Sequence, residues 1–145
     1  MSPNEMTQQA LQRTCLQQPE PMDFLTRWCS YIHAIDDLVD EPTTGEWRIA
    51  VFIQALEIYN HPFYLKHRER LNPIIIHVTN LYADAVAWEN SDVDWQKQFS
   101  DYARHGGVDM VLAVAFIVGG YPHLRAISGE LRAVNYCTDH KESVK

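Results

Sequence analysis

The residues best placed to do chemistry lie in one run, Tyr31-Ile32-His33-Ala34-Ile35-Asp36-Asp37-Leu38-Val39-Asp40-Glu41. Asp36 and Asp40 are four apart, and Asp37 and Asp40 are three apart. On a helix such pairs stack on one face, near enough to share a cation. His33 lies one turn earlier on the same side. Hard oxygen ligands at this spacing suit Mg2+, which takes one or two carboxylates and completes its shell with water and substrate phosphate. A solvated acidic face has the same spacing, but two features set this one apart. The acids fall in the last turns before Pro42, where the helix dipole disfavours each negative charge by about 0.3–1 kcal/mol. They also have no Lys or Arg three or four residues away, the nearest bases being Arg27 and Arg48. Local rules broken in this way tend to mark functional sites.

The string His33 to Asp40 resembles the first aspartate-rich motif, DDxxD, of the class I isoprenoid synthases, which include the trans-prenyl diphosphate synthases and the squalene and phytoene synthases. The resemblance implies an all-α bundle around a central cavity, with Asp36, Asp37 and Asp40 holding Mg2+ on a prenyl diphosphate. It also implies a second motif on a facing helix. Asn80-Leu81-Tyr82-Ala83-Asp84-Ala85-Val86-Ala87-Trp88-Glu89 is similar to the NxxxDxxxD/E segment of squalene and phytoene synthases. Asp84 is then a fourth metal ligand and Asn80 a substrate contact, with Asp84 facing Asp36 and Asp40 across a concavity. Trp88 stands where an acid belongs, and Glu89 is one residue late. A polar helix flank satisfied by local hydrogen bonds reads the same way. Lys97 and Arg104, seven residues apart and so on one helical face, are candidates to grip the diphosphate through charge-assisted hydrogen bonds; two solvated bases are the plainer account. The resemblance covers roughly residues 24–120 of a chain much shorter than a full synthase. It points to a short divergent member that binds a small diphosphate, acts as a homodimer or has lost catalysis.

The elements that must hold these residues read as helices throughout. Few stretches alternate apolar and polar residues, and no Asn-Gly or Asp-Gly hairpin turn occurs. A first helix spans Asn4 to Gln17, within a segment 1–20 prone to fraying, and Pro19 and Pro21 end it. The second runs from Met22 to Glu41, with an apolar stripe of Phe24, Trp28, Tyr31, Ile32, Ile35, Leu38 and Val39, and Pro42 stops it. The third starts at Thr43, whose hydroxyl pairs with Glu46 as a capping box. It reaches Tyr59 and is apolar on most sides, which predicts a central position. A short helix follows over Phe63 to Leu71. Asn72 then caps a helix with Pro73 at its first position, ending near Glu89. Ser91 or Asp92 caps the next, which ends at His105-Gly106-Gly107. The last two span Asp109 to Val118 and Pro122 to Cys137. The expectation is a single all-α domain over residues 1–145, a compact bundle of six to eight helices.

Composition narrows the function. The chain has 145 residues, 46% hydrophobic and 21% charged, which is ordinary globular composition. Lys and Arg number 12 against 19 Asp and Glu, a net charge of −7, so nucleic acid is not an expected partner. Three widely spaced cysteines without a CxxC pair argue against a disulfide framework and for a reducing, cytoplasmic compartment. The longest apolar run, Val108 to Val118, falls short of the about 20 residues a membrane span needs, so no integral membrane segment is expected. No HExxH, GxSxG, P-loop or GxGxxG occurs. The aromatic residues, among them Trp28 and Tyr82, fit a core; in a synthase they also stabilise a carbocation. The leading expectation is an isoprenoid-synthase-like protein that binds a diphosphate through Mg2+. An all-α Mg-dependent nucleotide pyrophosphohydrolase, which holds Mg2+ on a diphosphate through helix-borne carboxylates, is the alternative, with Asp37 and Asp40 in the place of its first acidic pair. A non-catalytic helical interaction module is the third.

Overall fold

In the computed structural model, which describes residues 2–143 and the side chains up to Tyr136 other than Pro3, the described residues form seven helices and no strand. They are α1 (Pro3–Thr14), α2 (Pro19–Asp40), α3 (Gly45–Tyr59), α4 (Pro62–Lys66), α5 (Arg68–Trp88), α6 (Asp94–Ala103) and α7 (Val108–Ser143). The all-α bundle expected from periodicity is what the chain forms.

Helix α1 packs against α7. Ser2 and Glu5 close a capping box at its start, Ala10, Leu11, Thr14 and Cys15 are buried, and Arg13 pairs with Glu130. His123 Nε2 donates to the Thr14 carbonyl at 2.9 Å and pins the end of α1 to α7. Leu16 and Gln17 both take left-handed backbone conformations, with φ of 50° and 61°. A left-handed residue with a Cβ costs about 1–2 kcal/mol, and here two of them reverse the chain into α2 without a glycine.

Pro19 and Pro21 do not merely stop α1. They sit in the first turn of α2, where a missing N–H costs no hydrogen bond. The inner face of α2 buries Phe24, Leu25, Trp28 and Ala34; Val39, assigned to that stripe by spacing, is exposed. Asp23 ties α2 to its neighbours. It accepts from His61 Nε2 at 2.8 Å and from Arg27 Nε at 2.9 Å, and Arg27 also reaches Glu57 on α3 at 2.7 Å.

The cap of α3 is Thr44, whose hydroxyl accepts from the Trp47 amide, so the capping box assigned to Thr43 and Glu46 does not form. Thr43 instead accepts from the Arg48 side chain through its hydroxyl and its carbonyl. Nor is α3 central. Among the described residues it packs chiefly on α2 and α4, burying Val51 and Ile58, and its other apolar face is exposed. Apolarity on most sides predicts a central position, but that property cannot distinguish a core helix from one whose outer face has another use.

The segment 63–71 divides at His67, which ends α4 and begins α5. Pro73 therefore lies inside α5 and not at its first position; Asn72, expected to cap, accepts from the Tyr64 hydroxyl at 3.3 Å. On α6 the helix begins after Val93 without a side-chain cap, and Ser91 accepts from the Val93 amide. Helix α7 carries the two expected helices in continuity, broken at Gly120 with φ 77° and ψ −177°, a conformation open essentially only to glycine. Its stretch Val108–Tyr136 is long and apolar enough to cross a membrane by length and composition, although the 11-residue run alone is not; 28% of its most apolar window is buried. The main core gathers Phe24, Leu25, Ile58, Leu71, Met110 and Val114, all with at most 1% exposure.

Candidate functional site

Five elements surround one cavity of about 670 Å3. Its depth is apolar: Ala10 and Leu11 from α1, Trp28 from α2, and Val108, Val111 and Leu131 from α7 are all lining and buried. Its rim is polar, with His33, Asp36 and Asp37 from α2, Tyr82 from α5, Asp101 from α6 and Arg104 from the turn after α6. That turn is held close by glycine. A Cβ on Gly106 would stand 2.9 Å from Leu81 Cδ1, and one on Gly107 would stand 3.3 Å from Ile32 Cγ2. Trp28 Nε1 donates to the Gly107 carbonyl at 3.1 Å, so the indole both lines the cavity and clamps the turn that carries Arg104.

The acids of α2 lie where their spacing puts them, on one side of its last turns. Tyr82 donates its hydroxyl proton to Asp36 Oδ1 at 2.9 Å. Burial, that hydrogen bond and the negative charges of Asp36 and Asp40 hold the phenol well above its usual range, so it remains a proton donor. Arg104 Nη2 lies 3.6 Å from Asp40 Oδ2 and 4.0 Å from Glu89 Oε2. The α2 acids are thus met by a base after all, one that is distant in sequence. This base does not fully offset them. Asp40 has its carboxyl raised, first by loss of water contact, then by the charge of Asp36, with Glu89 and a hydrogen bond to Asp36 adding and Arg104 opposing.

An acid whose folded pKa is raised disfavours folding once ionised. The penalty is absent below the usual carboxylate range and develops as pH rises from there through the raised value. Asp40→Asn is therefore expected to raise the melting temperature at neutral pH and to leave it unchanged near pH 3. Asp40 is about two-fifths exposed, so solvent screening keeps the gain to about 0.2–1 kcal/mol. Thermal melts of parent and variant from pH 3 to 8 check this; a lower melting temperature in the variant at pH 7 would show that the pair with Arg104 outweighs the repulsion.

The other candidates fall differently. Asn80 and Asp84 share a face of α5, but Tyr82 is two residues from each, about 200° around the helix, and it is Tyr82 that lines the cavity. Neither Asn80 nor Asp84 is a lining residue. Glu89, seven residues after Tyr82, is on the Tyr82 side; it lies 4.0 Å from Arg104 and its charge acts on Asp40, and neither Glu89 nor Asp40 is itself a lining residue. Lys97 is exposed on α6 and does not line the cavity, so of the two bases only Arg104 reaches it. His77, one turn before Asn80, pairs with Asp109 at 3.1 Å. Sequence reasoning passed over Asp101 and gave Tyr82 to the core; the signal available was that Tyr82 and Glu89 are seven apart and share a face.

Among the described residues no three His, Cys, Asp or Glu side chains converge as a metal-binding group. The pair Asp36 and Asp40 nevertheless has the donor chemistry for Mg2+, because that ion needs only one or two carboxylates when phosphate and water complete its shell. The Asp40 carboxyl is raised first by desolvation and then by the charge of Asp36, and a divalent cation would offset the second of these. The thiols at hand are inert. Burial pushes Cys29, on the cavity wall, to about 11 and Cys15 to about 12; both are free, and Cys137 lies outside the described side chains. No protein-family model, curated protein or solved structure matches the chain.

Proposed function

We propose that the protein binds an amphiphilic diphosphate, its apolar tail in the cavity and its head at the rim. One observation carries this reading: a single cavity joins a wall of buried aliphatic side chains and Trp28 to a rim bearing Asp36, Asp37, Tyr82 and Arg104. A purely polar ligand would leave the apolar depth unfilled, and a pure hydrocarbon would desolvate the rim charges without compensation. Asp36 and Asp40, with Asp37 beside them, would hold Mg2+, which when bound neutralises diphosphate charge. Arg104 would turn from Asp40 and Glu89 to the diphosphate oxygens, a stronger charge-assisted contact. Tyr82 fixes the orientation of Asp36, and Trp28 excludes water from the tail while holding the turn that carries Arg104. The similarity of His33 to Asp40 to the DDxxD motif of isoprenoid synthases supports a prenyl chain as the tail. The reading concerns binding; transfer or elimination requires in addition that the bound diphosphate ionise.

The test is a melting curve with Mg2+ and, in turn, a prenyl diphosphate, inorganic pyrophosphate and a nucleoside triphosphate. At a hundredfold excess over Kd a specific ligand stabilises the fold by about 2.7 kcal/mol. The expected result is a large Mg-dependent shift with the prenyl diphosphate and a much smaller one with pyrophosphate. Equal shifts with prenyl diphosphate and pyrophosphate would remove the role of the cavity. A shift confined to the nucleotide would replace this reading with that of a nucleotide pyrophosphohydrolase.

A further inference from the structure

The outer face of α3 is a feature that the cavity and its ligand leave unused. Ile49, Phe52, Ile53 and Leu56 follow one another at i, i+3, i+4 and i+7, the spacing of a packed helical seam. Yet they are 59%, 69%, 50% and 62% exposed, and Tyr59 extends the stripe. The opposite side of the same helix already buries Val51 and Ile58 against the bundle, so rotating α3 would only exchange one exposed apolar face for another. We propose that this stripe is the interface through which two copies of the chain form a twofold-symmetric dimer, α3 packed on α3.

Three observations favour a second copy as the occupant. The first is area. Four aliphatic and aromatic side chains at this exposure, with Tyr59, present on the order of 600 Å2. A stable interface buries roughly 800 Å2 on each partner, so α3 and its flanks supply most of one half. The second is shape: the stripe runs along one face of a 15-residue helix with no proline inside it, and a linear ridge pairs with its own copy across a twofold axis, the commonest symmetry of soluble oligomers. The third is charge. A helix that lies on a membrane borders its apolar face with Lys and Arg. Here the flanking charges are Glu46, Arg48 and Glu57, Arg48 is held by Thr43 and Glu57 by Arg27, and the chain carries −7 overall. Such a border does not draw an anionic bilayer. No residue of α3 lines the cavity, so the dimer leaves it open, and the inference stands apart from the ligand reading.

The test is sedimentation equilibrium of the full chain from 1 to 100 μM, alongside Phe52→Glu and Leu56→Glu. The parent is expected at twice the 16.8 kDa chain mass, and each charge, present twice in the interface, to raise the dissociation constant on the order of 100-fold with the far-UV helical signal unchanged. Should either variant lose that signal, Ile53→Cys replaces it, with oxidative cross-linking across the axis expected only if the stripe is the contact. A monomeric parent at 100 μM overturns the proposal, as does a dimer unaffected by both charges or an uncross-linked Ile53→Cys dimer. A monomer that sediments with phosphatidylcholine vesicles would overturn it in favour of a lipid surface.

Discussion

Replacing Phe24 by alanine is expected to cost about 3–5 kcal/mol of unfolding free energy, a large part of the about 5–15 kcal/mol that holds a domain of this kind together. Phe24 is 0% exposed. Its ring packs against His61 and Phe63, with centroids 5.4 Å and 5.5 Å away, so it is the point at which α2 and α4 meet. Truncation loses the transfer energy of a whole ring and leaves a hole that the surroundings refill only in part. His61 is constrained from two sides, accepting the Phe63 amide at Nδ1 and donating to Asp23 from Nε2, and so cannot swing into the gap without breaking the start of α4. Urea unfolding measures the loss, with Leu65→Ala, at a position 53% exposed, as a control expected within about 0.5 kcal/mol. A cost under about 1 kcal/mol for Phe24→Ala would mean that α2 and α4 do not share the core described here.

Arg104→Ala is expected to separate the two duties of the rim. With the guanidinium gone, binding of the Mg-prenyl diphosphate should weaken on the order of 100-fold, as befits a charge-assisted contact to phosphate. Stability without ligand should change little, because the pairs with Asp40 and Glu89 are exposed and long and such pairs contribute about 0–1 kcal/mol. Mg2+ alone should bind more tightly to the variant, since a positive charge beside Asp40 has been removed. Calorimetric titration of Mg2+, and then of diphosphate in saturating Mg2+, reads both terms. Arg104→Lys should recover part of the diphosphate affinity, because it restores the charge without the planar fork. Unchanged diphosphate affinity in Arg104→Ala would show that the head group does not lie at this rim.

Both predictions depend on contacts between segments far apart in the chain, and sequence reasoning reached one and missed the other. Phe24 belongs to a stripe on a single helix, and 3.6-residue periodicity is a local property that any reader of α2 can count. Arg104 was singled out for its charge, but its partners were not foreseen. The acids of α2 looked uncompensated because compensation was sought within one turn, whereas the base arrives from the turn after α6, brought in by Gly106, Gly107 and the Trp28 hydrogen bond.

The same division runs through the rest of the molecule. Local rules that the sequence carries in full determined the all-α class, the helical run through Asp36, Asp37 and Asp40, the stop at Pro42 and the break at Gly119-Gly120. These are spacing, the fixed φ of proline and the freedom of glycine, each acting within a few residues. Tertiary structure alone decided which face turned inward on helices that offer more than one, such as α3 and α5. On α5 the sequence showed that Asn80 and Asp84 share one side and that Tyr82 and Glu89 share another. It could not show that the second pair meets Asp36, Asp40 and Arg104, because that follows from how Leu81 and Ala85 seat α5 on α6. On α3 two apolar faces were equally eligible for the core, and α2 and α4 could cover only one of them. Periodicity assigns residues to faces, but a face acquires its neighbour only when the whole bundle has packed.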